Sequence, residues 1–170
     1  MESLQQKRSH RPLPSKEDFC GGGAPDAESA WRDFGGLTLD EAYNKFLDCA
    51  VSYGGGFLWM FPPAFAYYFP IVDKYLREYD PSTDIDLCPA AFLGFCLCSQ
   101  FHWTTGAKPP PSVVEEIAAL SDFVKANPGR FSSEEDERTR ILDTWSLVDV
   151  EVASFRREHS PPAPGKFKNP

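Results

Sequence analysis

Cys96, Cys98 and His102 are close enough in sequence to share a metal ion or a proton. On a helix Cys98 and His102 fall on one face at i and i+4, whereas Cys96 points well away from them. A structural zinc site takes four ligands, usually with CxxC-type pairs, and no such pair is present, so no metal ligand set is expected. As a nucleophile and base, the pair would need an electropositive setting to stabilise the thiolate. His10 and His159 sit in or beside the tails, which leaves His102 as the base, and a thiol among Phe92, Phe95 and Phe101 reads as inert packing. Neither a catalytic residue nor a cofactor is expected from this group.

The carboxylates suggest recognition instead. Asp80, Asp84 and Asp86 share one loop, which lacks the alternating oxygen ligands and turn glycine of a calcium loop. Asp86 is placed to cap a helix, and the three together offer a surface for a lysine or arginine of a partner. Glu115-Glu116 and the run Glu134 to Glu137 open helices, where the helix dipole favours negative charge. Gly54-Gly55-Gly56 is followed by bulky apolar residues and lacks the ending of a phosphate loop, so it predicts a turn or a close backbone approach. Neither Gly-x-Ser-x-Gly nor His-Glu-x-x-His occurs, and the balance leans away from an enzyme. An alternative reading is a small-molecule binder or enzyme whose aromatic pocket, lined by Trp59, Tyr68 and His102, surrounds the glycine triplet.

Five helical segments must position these groups. Thr38 and Glu41 form a capping box ahead of Leu39, Ala42, Tyr43, Phe46, Leu47 and Ala50. Pro62-Pro63 opens a second segment with an apolar face of Phe65, Phe69, Val72, Leu76 and Tyr79, and Pro70 predicts a kink or two abutting helices. On that wheel Tyr67 lies opposite the face, in line with Lys74, as a surface aromatic suited to a partner. The third segment, from about Pro89 to Trp103, is apolar nearly all round and predicts a buried central helix. The fourth opens with Ser112 and Glu115 as a second capping box and stops at Asn127-Pro128-Gly129. The fifth starts after Ser132 or Ser133, and its stripe of Ile141, Trp145, Val148, Val152 and Phe155 predicts a long amphipathic helix. Phe57 to Phe61 suit a short extended piece. The expected architecture is all-α: an irregular bundle of about five helices over residues 31–158, between disordered tails at 1–30 and 159–170.

The 170 residues suffice for one domain with a real core, and aromatics at 14% make Phe, Tyr and Trp its main filling. A formal charge of −8 argues against nucleic acid and anionic membranes and favours a basic protein partner. The uncharged stretches 49–72 and 87–107 are broken by glycine and proline or too short in their dense part to span a bilayer. Five cysteines without a disulfide spacing, and an N-terminus without an apolar signal core, set the expected compartment as the cytoplasm.

Two blocks, Trp31-Arg32-Asp33-Phe34-Gly35-Gly36-Leu37-Thr38-Leu39 and Pro63-Ala64-Phe65-Ala66-Tyr67-Tyr68-Phe69-Pro70, carry a resemblance. The chain resembles small bacterial proteins in which an Ala-Phe-x-Tyr-Tyr-x-Pro helix follows a short amphipathic one, over roughly the first half of the folded body. By size and acidity it is similar to the pool that includes immunity proteins of bacterial toxin systems. The resemblance implies an acidic domain that binds and neutralises a toxin, with Asp80, Asp84, Asp86 and Tyr67 as the contact residues inferred from this sequence; it implies no active-site residue. A structural homo-oligomer built on the fifth helix is the remaining alternative.

Overall fold

The structure, a computed structural model, describes residues 12–19, 25–81, 89–102 and 108–159. Among them are eight α-helices and no strand. These are α1 (Pro25–Phe34), α2 (Leu39–Asp48), α3 (Ala50–Gly54), α4 (Pro62–Glu78), α5 (Pro89–Ser99), α6 (Pro111–Ala126), α7 (Pro128–Phe131) and α8 (Glu135–His159). The all-α class is as expected, but the count of about five is too low. The five long segments are α2, α4, α5, α6 and α8; α1 falls where a tail was expected, and α3 and α7 are about one turn long.

The N-terminal boundary at residue 31 is also corrected. Ser15 caps a 3-10 turn at Lys16–Asp18, and buried Phe19 bridges Met60. The Phe61 N–H donates to the Asp18 carbonyl at 2.8 Å. Helix α1 then buries Ala27, Ala30 and Phe34 at i, i+3 and i+7, a stripe whose two alanines make it faint in sequence.

Helix α2 begins as predicted. The Thr38 N–H donates to Glu41 Oε2 at 2.8 Å, and the Glu41 N–H donates back to Thr38 Oγ1 at 3.4 Å. Gly54 and Gly56 are close-approach positions: a Cβ would stand 2.8 Å from Leu93 Cδ2 at the first and 2.9 Å from Phe34 Cε2 at the second. Residues 57–59 belong to a 3-10 turn (Gly55–Trp59), not to an extended piece, and only Met60 pairs as a strand would.

Helix α4 runs unbroken through Pro70, so the expected division into two abutting helices does not occur. Proline cannot donate to the Ala66 carbonyl, a local loss that burial offsets, since ten of the 17 residues are buried. The helix is held by α2, α6 and the N-terminal 3-10 turn.

The second capping box is not formed. Pro110 and Pro111 start α6, which places Ser112 inside the first turn, and the Glu115 carboxylate instead accepts two bonds from Arg156 of α8. Asn127 ends α6 as predicted, its side chain donating to the Phe123 carbonyl at 2.7 Å. Ser132 Oγ accepts from the Glu134 N–H at 3.0 Å ahead of α8, which buries its predicted stripe of Ile141, Trp145, Val148, Val152 and Phe155.

Helices α5 and α8 position the candidate site. Trp145 Nε1 donates to the Ala90 carbonyl at 2.9 Å, and Phe101 meets Phe155 edge-to-face at 6.4 Å. Partner numbers therefore rise together, and the two helices run parallel. Gly94 permits the contact, because a Cβ there would stand 2.9 Å from Trp145 Nε1. On the other side of α8, Ser121 donates to Asp149 at 2.6 Å and Glu115 pairs with Arg156, so α6 runs antiparallel to it. Helix α5 is not buried all round as its composition predicts: Phe95 is 54% exposed.

Candidate functional site: the outer seam of α5 and α8

Parallel packing carries Glu151 of α8 to the C-terminal end of α5. There its carboxylate lies 3.2 Å from His102 Nε2, and one ligand atom each of Cys98, His102 and Glu151 lie within 4.8 Å of one another. Helix α5 stops at Ser99, short of the expected end near Trp103, so His102 reaches the cluster from the turn that follows and not from a helical i, i+4 face shared with Cys98. Glu151, 49 residues beyond His102, has no local signal. Cys96 points the other way, buried in the core, and burial pushes its thiol up to about 12.

The surroundings define the chemistry of the three. Cys98 is half-buried, and its thiol is pushed up, first by burial and then by the negative charge of Glu151. A nucleophilic cysteine needs the opposite shift, so a Cys-His-Glu relay has an unfavourable starting point. His102 is 60% exposed. Its backbone is nevertheless anchored, with the His102 N–H donating to the Ser99 carbonyl at 3.1 Å and the neighbouring Gln100 side chain donating to the Phe57 carbonyl.

Apolar shoulders flank the cluster. Phe95 shares an outward stripe of α5 with Cys98 at i and i+3, and Leu147 shares one of α8 with Glu151 at i and i+4. Leu147 and Val150 are each 59% exposed. Near the end of α8 a separate cleft of about 420 Å³ lies between Lys108, Pro109, Phe155, Glu158 and His159. Its charged groups are already engaged: Lys108 pairs with Glu158 at 2.9 Å, and the His159 ring stacks on Phe155 at 3.9 Å.

The other sequence-derived positions fare differently. Asp80 is exposed just beyond α4, whereas Asp84 and Asp86 lie outside the described residues. Tyr67 is not the surface aromatic expected of it, being 9% exposed with its ring 4.8 Å from Tyr68. The helical wheel of α4 assumes one covered face, but α2 and α6 cover more of the helix, and burial together with the Glu41 charge pushes the Tyr67 hydroxyl up. The aromatic pocket is corrected as well. Tyr68 is fully buried against Phe19, Phe34 and Tyr67 and donates to the Phe34 and Leu37 carbonyls, Trp59 packs half-buried on the core, and His102 reaches Glu151. Among the described residues no helix is long and apolar enough to cross a membrane. Comparison with protein-family models, curated proteins and solved structures returns no match, so the chemistry of the seam rests on its own geometry.

Proposed function

We propose that this protein is an acidic protein-interaction domain, of the kind that binds and neutralises a bacterial toxin, and that it meets its partner through the α5–α8 seam. The observation that carries the reading is the exposure of Phe95, Leu147 and Val150 on two adjoining helices. Apolar side chains at the centre of a contact, rimmed by charge, are what a protein interface uses. The formal charge of −8 supports a basic partner, since complementary fields speed association and select against acidic competitors. Asp80, Asp84 and Asp86 are assigned the electrostatic part of the contact. Tyr67, being buried, is withdrawn from it.

Affinity capture with the wild-type chain, the Leu147→Asp/Val150→Asp double variant and an Asp80→Lys variant tests the reading. A basic protein held one-to-one by wild type, lost with the double variant and weakened by charge reversal, is the expected result. Equal capture by all three would remove the seam and the acidic loop from the interface. The same exposed residues favour a second reading, a homo-oligomer built on α8. Light scattering decides it: a dimer that the double variant converts to monomer supports self-association, and a wild-type monomer ends it.

A further inference from the structure

We propose that Cys98, His102 and Glu151 form a three-ligand site for a divalent transition metal ion, zinc foremost, with the remaining coordination position open. This goes beyond the interaction reading and stands or falls separately from it. The donor set is a thiolate, an imidazole and a carboxylate, which suits zinc and its neighbours and disfavours calcium and magnesium, whose sites are built from oxygen. Cys98 and Glu151 come from two helices locked in register by Trp145 on the Ala90 carbonyl and by the close approach at Gly94, and His102 from the turn that directly follows α5.

The spacing fits after a small adjustment. Zinc bond lengths in a tetrahedral shell place ligand atoms roughly 3.3–3.7 Å apart. The His102–Glu151 pair, at 3.2 Å, is already close to that range, and no pair in the cluster exceeds 4.8 Å. The remaining closure, on the order of 1 Å by those bond lengths, falls to side-chain rotation, for which exposed His102 has room while its anchored backbone stays in place. Binding replaces the Cys98 S–H bond with a sulfur–metal bond and releases the thiol proton to solvent. Three protein ligands with a fourth position open is the pattern of zinc sites that act on a bound water or donor, whereas closed structural sites use four. The absence of a four-ligand CxxC-type set in the sequence therefore excludes only the closed kind of site.

The test is titration of the tag-free, fully reduced chain with cobalt(II), followed by displacement with zinc. One equivalent of cobalt is expected to give a thiolate-to-cobalt charge-transfer band and visible bands of tetrahedral cobalt, both abolished by one equivalent of zinc. His102→Ala, Cys98→Ser and Glu151→Gln should each weaken zinc binding about tenfold or more. Cys49→Ser, at an exposed thiol elsewhere, and Cys20→Ser/Cys88→Ser should leave it unchanged. Because His102 is exposed, His102→Ala should fold with an unaltered thermal melt, so loss of binding in that variant reports on the ligand and not on the fold. A charge-transfer band that survives Cys98→Ser, zinc affinity unmoved by His102→Ala, or no stoichiometric binding at micromolar metal would each overturn the site.

Discussion

Phe34, at the end of α1, is 1% exposed and packs against Tyr53, Phe57 and Tyr68. Phe95, in the middle of α5, is 54% exposed, with Cys98 one turn further along the same helix. The two residues mark different regions of one molecule. Around Phe34 the core is aromatic, its rings meet largely edge-to-face or tilted, and its buried hydroxyl is turned inward onto carbonyls. Beneath Phe95 the layer is as tightly seated, with Trp145 under Gly94, but its outer edge carries apolar and titratable side chains that packing alone does not require. The lesson is where to look for function. In the aromatic region the large side chains are turned inward and their hydroxyl is bonded to carbonyls, whereas the seam carries exposed apolar side chains and a Cys98–His102–Glu151 cluster at the edge of the packed layer.

The sharpest way to break that comparison is to truncate both phenylalanines. Phe34→Ala is expected to cost about 3–5 kcal/mol of unfolding free energy, as large apolar truncations in a filled core do. Phe95→Ala should stay within about 0.5 kcal/mol, the range of surface substitutions. Urea unfolding at neutral pH checks both, and a large loss at Phe95 would mean that the seam is covered by something belonging to the fold.

Glycine positions probe the layer beneath the seam with a smaller effect. Gly94→Ala drives a Cβ to 2.9 Å from Trp145 Nε1 and 3.1 Å from Thr144 Cγ2. The expected loss is about 1–3 kcal/mol, because Trp145 is pinned by its bond to the Ala90 carbonyl and cannot yield freely. Gly129→Ala meets nothing within 4 Å and should be neutral or stabilising by up to about 1 kcal/mol, since alanine restricts the unfolded chain. Comparable losses at both would show that the α5–α8 contact is looser than its geometry.

Hydroxyl deletion compares the polar commitments of the buried and exposed surfaces. Tyr68→Phe removes the donor to the Phe34 and Leu37 carbonyls inside the core and should cost about 1–2 kcal/mol. Tyr43→Phe removes a donor to Glu78 at an exposed site and should cost less, about 0.5 kcal/mol. Alkaline titration sharpens the pair. Burial, with Glu78 adding to it, pushes the Tyr43 hydroxyl up to about 12, and burial pushes Tyr68 up too. A raised tyrosine contributes stability below its unfolded value of 10.0 that is lost as pH rises through the folded one. Ultraviolet detection of tyrosinate should therefore find both groups ionising late, with unfolding accompanying the last.

These pairs also separate what sequence can and cannot carry. The Thr38–Glu41 box and the α8 stripe depend on residues at most fourteen apart, where helical spacing settles the geometry. The failures depend on competition at a distance. Ser112 and Glu115 have the spacing of a capping box, but Pro111 starts the helix two residues early and Arg156, 41 residues beyond Glu115, takes the carboxylate. Tyr67 looks outward on a wheel until α2 and α6 both cover its helix. Glu151 joins the seam because Gly94 lets α8 approach α5 in parallel register, a tertiary fact with no periodicity of its own.

The smallest expected effect sets two exposed carboxylates against each other, one at the α2 cap and one at the α6–α8 contact. The Thr38 backbone and hydroxyl bonds hold Glu41 below its ordinary value of 4.5, and the Arg156 guanidinium does the same for Glu115. A carboxylate with a lowered folded value contributes stability that is fully present above 4.5 and is lost as pH falls through the folded value. Glu41→Gln and Glu115→Gln should therefore lower the melting temperature slightly at pH 7 and lose that difference as pH falls below 4.5 and through the folded values. Salt separates the two. Screening weakens an exposed ion pair but leaves a short hydrogen bond to backbone largely intact. At high ionic strength the Glu115 difference should shrink while the Glu41 difference persists; equal shrinkage would show that the α2 cap acts through the charge of Glu41 and not through its hydrogen bond to Thr38.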